Sequence, residues 1–413
     1  MNGKLLSLMM TILMMASALA GCAGDDVDLD GEDGGYEYAS NVDNHRMLMG
    51  DVCDIKDLSG AYDWDDVKDI YENGEHAEKS DGSYRTLMGF ADASGKNHAY
   101  DSFYGADGSW HDFVSAAIDG TGPFAGESDT VRDQATEKGI QNGVMTAYAI
   151  HELNAAIIKA EAGNWGADDA QHAWDEGWAF YHGPDDSDHD YDGCGPYATA
   201  DKRAGNFGTA NSDGTAATNV ATLAAMNAGL AAMQSEDMQG LVDARDEVLK
   251  NIIIVYSQAS VRYASKMTSD LADGDTADYD KHQAEGHSFY RVIEAYVAEY
   301  TSICYNMASH VVSSDSSQES CEGYAWYENY SMGGGQTYTG CYNIVSHQTT
   351  DDDQPTCEAY GWQANYYSNM IVAMFDLTND GDASADYEAD IRAWLQPAWD
   401  HYGITATDIG TLQ

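Results

Sequence analysis

Two glutamates, Glu176 and Glu285, hold the same place in a repeated string. The copies read Glu176-Gly177-Trp178-Ala179-Phe180-Tyr181 and Glu285-Gly286-His287-Ser288-Phe289-Tyr290, each with a histidine one helical turn upstream, His172 and His282. On a helix these spacings put an imidazole, a carboxylate and a phenylalanine on one face. An ionised carboxylate against aromatic rings must find a metal or another cation, or take up a proton. A further pair, His151-Glu152, lies upstream in the first copy, where the second has Ala259-Ser260. Imidazole nitrogen with two or three carboxylate oxygens suits iron, manganese or zinc rather than a soft copper ion. The expected metal residues are His151, Glu152, Glu176 and Glu285, with His172 and His282 able to join them. The bundle di-iron signature Glu-x-x-His occurs in neither copy, which argues against a standard di-iron oxidase.

These residues need helices to carry them. The stretch before each string also recurs, Val144-Met145-Thr146-Ala147-Tyr148 against Ile252-Ile253-Ile254-Val255-Tyr256, at nearly the same offset. Two equivalent helix pairs follow, and since neither can bury its apolar stripe alone, they are expected to pack as an antiparallel bundle with pseudo-twofold symmetry. That symmetry would bring Glu176 and Glu285 together on the axis. Trp64–Asn73 and Asp112–Ile118 read as shorter covering helices, Gln363–Phe375 and Tyr387–Tyr402 as two more near the end. The expected class is all-α: a helical bundle of two duplicated helix pairs, with a disulfide-stapled, loop-rich insertion near the C-terminus.

Composition narrows the partners. With 70 Asp+Glu against 19 Lys+Arg and a formal charge of −51, no nucleic acid is expected, because phosphate neutralisation needs clustered cations. Against that background Lys202-Arg203, before Gly205-Asn206-Phe207-Gly208, stands out as an anion clamp or a brace for acidic loops. The run Asp376-Leu377-Thr378-Asn379-Asp380-Gly381-Asp382 is a partial calcium loop, with the acid of its last position displaced. No G-x-S-x-G, H-E-x-x-H or Walker-type phosphate cradle occurs.

The first residues read as an address. Lys4, an apolar Leu5–Ala18 and Leu19-Ala20-Gly21-Cys22 resemble the signal and lipobox of bacterial lipoproteins, in which the cysteine is lipidated. The expected division is a signal peptide over 1–21, an acidic flexible stalk over 22–45, the duplicated domain over 46–310, a Cys- and aromatic-rich insertion over 311–358, and C-terminal helices over 359–413. Membrane contact would be through the lipid on Cys22 alone, since no later segment is long and apolar enough to span. The remaining six cysteines, Cys53, Cys194, Cys304, Cys321, Cys341 and Cys357, suit up to three disulfides in an oxidising compartment, with the pairing open.

Several strings, in order, are similar to one family: Trp64–Gly74, Lys79–Leu87, Glu137-Lys138-Gly139-Ile140-Gln141, Ile150-His151-Glu152-Leu153, Trp174–Tyr181, Lys202–Thr209, and Ala284-Glu285-Gly286 leading to Arg291-Val292-Ile293-Glu294. The chain resembles the low-iron-inducible periplasmic proteins, which include algal iron-assimilation proteins. The resemblance implies a non-enzymatic protein of the cell envelope that captures iron, ferrous or ferric, and hands it to a membrane iron transporter. It places His151, Glu152, Glu176 and Glu285 at the family's acidic and histidine positions. Two other readings stay open: a zinc-dependent hydrolase of imelysin-like type with Glu152 as base, and a structural or adhesive surface lipoprotein acting through its aromatic insertion.

Overall fold

The computed structural model describes residues 29–413 apart from 97–98, 187, 190 and 334–335; the lipobox and Cys22 lie outside the described residues. Helices of eight or more residues are α1 (Asp43–Gly60), α2 (Trp64–Asn73), α3 (Ser109–Asp119), α4 (Asp129–Lys138), α5 (Met145–Glu161), α6 (Ala170–Tyr181), α7 (Pro196–Phe207), α8 (Ala217–Gln234), α9 (Met238–Asp273), α10 (Thr276–Val297), α11 (Tyr366–Met374) and α12 (Tyr387–His401). The repeated strings form two helical hairpins, α5 with α6 and α9 with α10.

Local sequence explains the second hairpin. Gly274, at φ 73°, ends α9 in the left-handed conformation that glycine adopts without strain, and the Asp275 side chain accepts the Asp278 backbone N–H to start α10. The two copies meet through Tyr256 of α9. Its buried hydroxyl lies 3.0 Å from both Thr146 Oγ1 of α5 and Asn142 Oδ1, the latter in a π-helical turn, Gly139–Val144, that joins α4 to α5. Trp174, Trp178, Phe180 and Tyr290, all fully buried, place both repeated strings in one continuous core. Helix α8 packs along α9, and α12 closes the far side of α9.

The acidic segment expected to be a flexible stalk departs from that reading. From residue 29 onward it is folded against the bundle. Strands β1 (Glu32–Asp33) and β2 (Tyr36–Glu37) form a small antiparallel hairpin, and Asp33 accepts two bonds from Arg46 of α1, Nε to Oδ2 at 2.6 Å and Nη2 to Oδ1 at 2.5 Å. Tyr36, with no exposed surface, donates its hydroxyl to Asp175 Oδ1 of α6 at 2.6 Å. Buried aromatic rings and a buried bidentate ion pair hold what the acidic composition alone would leave solvated.

The all-α expectation also needs correction. Helix makes up 61% of the described residues and strand about 10%, because the loop-rich insertion is a β module. Its strands are β3 (Ile303–Asn306), β4 (Val311–Val312), β5 (Tyr324–Gly333), β6 (Gln336–Asn343), β7 (Thr349–Thr350) and β8 (Tyr360–Gln363), in two antiparallel sheets ordered β4-β3-β8 and β5-β6-β7. The module is itself a duplication. Cys304-Tyr305-Asn306 begins one unit and Cys341-Tyr342-Asn343 the next, with disulfides Cys304–Cys321 and Cys341–Cys357 at matching places. The units exchange strands: β3 of the first pairs with β8 of the second, and β5 of the first with β6 of the second. Reciprocal bonds from Asn306 to the Thr356 carbonyl and from Asn343 to the Ser320 carbonyl, with Tyr324 stacked on Tyr360 at 4.1 Å, lock the exchange. The third disulfide, Cys53–Cys194, ties α1 to the segment before α7.

Candidate metal centre

Glu176 projects from α6 into a cluster assembled by three helices. His172, one turn earlier on α6, brings Nε2 to 3.1 Å from Glu176 Oε1. His45, on α1, brings its own Nε2 to 3.2 Å from the same oxygen. From α5, Glu152 comes within hydrogen-bonding reach of Glu176, and His151 Nε2 lies 3.8 Å from Glu152 Oε1. Phe90, Tyr148 and Phe180 wall the cluster, with ring centroids 4.5 to 5.2 Å apart.

Burial and charge divide the roles. Burial drives the Glu152 carboxyl well above the ordinary range, and the neighbouring Glu176 charge adds to it. Burial also works to raise Glu176, yet the hydrogen bonds from His172 and Glu152, with both imidazoles alongside, bring it below the usual carboxylate range. The His45 imidazole, pushed down to about 3 chiefly by burial, is neutral, the form that can donate a lone pair to a metal.

A second layer fixes the imidazoles. His172 Nδ1 lies 2.9 Å from Ser40 Oγ, and Ser40 donates both its hydroxyl and its backbone N–H to Asp175 Oδ2, at 2.7 and 2.8 Å. Asp175 is in turn bound by Tyr36. This carboxylate-to-hydroxyl-to-imidazole chain leaves Nε2 as the atom facing Glu176, as outer partners of metal-binding histidines do. The donor set, imidazole nitrogens with carboxylate oxygens in an aromatic shell, fits a borderline cation such as iron. The donors bond to one another, and among the described residues no three His, Cys, Asp or Glu side chains already surround a common point as ligands would.

The structure thus gathers His151, Glu152, His172 and Glu176 and adds His45, to which no repeat or motif points. It does not bring Glu285 and His282 to them. Glu285 has its own surroundings on α10: the hydroxyl of Tyr263, the Lys138 ammonium, and His282 Nε2 at 4.0 Å. His282 is engaged through Nδ1 with Asp270 at 2.6 Å. The copies have diverged because α1 packs on α6 while α4, ending in Lys138, packs on α10, so the same glutamate meets imidazole in one hairpin and ammonium in the other.

Lys202 and Arg203 lie on α7, with Arg203 buried over the rings of Tyr263 and Phe289. In the partial calcium loop, the Asp376 and Asp382 carboxylates accept N–H and O–H bonds from Thr378 and Ser384 two residues on, while Gln283 of α10 donates to the loop carbonyls of Asp376 and Asn379. Among the described residues no helix is long and apolar enough to cross a membrane.

No curated protein and no solved structure matches the chain. The profile of the low iron-inducible periplasmic proteins matches residues 8–295, which span both helical hairpins and stop short of the β module. The chain belongs to the low iron-inducible periplasmic protein family.

Proposed function

We propose that this protein is a periplasmic or surface-anchored iron-capture protein, which takes an iron ion as cargo at His45, His172, Glu176 and Glu152, with His151 beside them, and passes it to a membrane transporter without catalysing a reaction. The observation that carries this reading is the convergence of two imidazole Nε2 atoms on one oxygen of Glu176, whose side chain is 12% exposed. Three features support it. The ionised Glu176 supplies charge, the neutral His45 supplies a lone pair, and the proton held at Glu152 is available for release when a cation arrives. An ion entering between the imidazoles and the carboxylates would replace the contacts these groups now make with one another. The strongly acidic surface would concentrate cations near the site at low ionic strength, and the lipid on Cys22 would hold the protein at the membrane. The name of the family fits this use of the site.

The test is metal content by elemental mass spectrometry, after loading with ferrous or ferric iron, for wild type, Glu176→Gln and Glu285→Gln. Near-stoichiometric iron in wild type and Glu285→Gln, lost in Glu176→Gln, is the expected result. Equal loss in both variants, or no iron in any, sinks the reading; zinc held in preference to iron transfers the site to the hydrolase alternative.

A further inference from the structure

Cations gather where the second hairpin has diverged. Arg203 of α7 is 8% exposed. Its guanidinium lies over the rings of Tyr263 and Phe289, 5.7 and 5.8 Å from their centroids, and the Tyr263 hydroxyl is in its hydrogen-bonding reach. Two of its donors, Nε and Nη1, are buried without any acceptor. The exposed ammonium of Lys202 is held down first by partial desolvation and then by the charges of Lys56 and Lys138, with Arg203 adding to them. Lys138 is partly answered by Glu137, at 2.7 Å, and Glu285 lies within its field. Four of the 19 Lys and Arg of a chain with 70 acidic residues therefore lie within one another's fields, beside the carboxylates of Glu137, Glu285 and Asp133. A guanidinium stays charged at any ordinary pH, and a buried one is stable only when its N–H groups find acceptors.

We propose that Arg203, Lys202, Lys138 and Lys56 form a binding site for a phosphate-type oxyanion, separate from the histidine and glutamate cluster around Glu176. The chemistry favours this class on two grounds. Four cations against three carboxylates, with two guanidinium donors of Arg203 unmet, leave room for an anion. Carboxylates at the rim also favour an anion that carries a proton: hydrogen phosphate can donate its O–H to Glu137 or Glu285, whereas sulfate has none to give and would be repelled. A surface this acidic repels anions from a distance of roughly a Debye length, so uptake needs a built site of this kind. The proposal does not depend on iron.

The experiment is isothermal titration of metal-free protein with inorganic phosphate at low salt and neutral pH, with sulfate and bicarbonate as parallel probes. Variants are Arg203→Met, Lys202→Gln and Glu176→Gln. Lys202 is exposed, so its replacement does not put folding at risk if Arg203→Met fails to fold. Saturable phosphate binding is expected in wild type and Glu176→Gln, weakened about tenfold or more in Lys202→Gln and Arg203→Met, with sulfate weaker than phosphate. Four results overturn it: no saturable heat with phosphate, binding that Lys202→Gln leaves unchanged, preference for bicarbonate or sulfate, or binding seen only after iron is loaded. Because Glu176→Gln removes the proposed iron site and not this one, the two readings fail separately.

Discussion

Glu152 and Glu176 lie within hydrogen-bonding reach of each other in a buried aromatic shell, and their surroundings push them apart in charge, Glu152 toward the protonated form and Glu176 toward the ionised one. Two adjacent carboxyls that hold one proton between them leave one negative charge, on Glu176, for the imidazoles or an incoming cation to answer. Glu176→Gln removes that charge, and its iron affinity is expected to fall by about 100-fold or more, beyond the range of outer-layer substitutions. Glu152→Gln keeps the ionised Glu176 with both imidazoles and should lose less. Titration with ferrous iron under anaerobic conditions ranks the two; a larger loss in Glu152→Gln would contradict the assignment.

Ser40 touches no cargo in this arrangement, yet it fixes the His172 ring through Nδ1 and is itself held by Asp175. Ser40→Ala is expected to weaken iron binding about 10- to 100-fold while leaving a measurable site. Unchanged affinity would show that the Asp175 chain serves the fold alone.

Equivalent glycines of the repeat do unequal work. A Cβ at Gly286 would lie 2.1 Å from a ring carbon of Phe375, whereas one at Gly177 would meet the flexible end of Leu153 at 2.8 Å. Gly286→Ala should cost about 1–3 kcal/mol through overpacking, and Gly177→Ala less. Urea unfolding of the two variants checks the order, and the reverse order would mean that Leu153 cannot yield.

Asp51, with no exposed surface, accepts the backbone N–H groups of Glu75 and His76 on Oδ1, while Oδ2 has no partner. Burial pushes its carboxyl up to about 6, against those two backbone bonds and the nearby His76, with Asp54 adding to the rise. Between about pH 4 and 6 the folded chain therefore holds a proton that the unfolded chain has lost, so stability falls as pH rises through this window. The full cost, on the order of 2–3 kcal/mol, applies above about pH 6. Subtracting the pH profile of Asp51→Asn from that of wild type should expose the fall; parallel profiles would count against it.

The exchanged strands of the β module make its disulfides cooperative. Replacing Cys304 and Cys321 with serine opens a link across 17 residues, worth about 3 kcal/mol on the chain-entropy account. Because β3 pairs with β8, the loss should loosen both units in hydrogen exchange. Iron binding should persist, since the proposed ligands all lie on α1, α5 and α6.

The two helical hairpins were legible in the residues themselves. A hexamer returning at a fixed offset with helical spacing of Glu, Phe and His is a local signal, and helices are built from local contacts. The pairing of His172 with Glu176, one turn apart, follows from the same periodicity. The repeat Cys304-Tyr305-Asn306 and Cys341-Tyr342-Asn343 is equally present in the letters, but its meaning is not. Strand pairing is a long-range choice, and nothing local says that each unit pairs with the other rather than with itself. His45 shows the same limit more sharply. It stands 131 positions before Glu176, in a stretch whose acidity suggests a stalk, and reaches the cluster only because buried Tyr36, Asp33 and Arg46 pin the N-terminal hairpin and α1 against α6. Residue types and spacing determined which side chains can bind a cation; packing between distant helices decided that Glu176 meets histidines while its twin Glu285 meets Lys138.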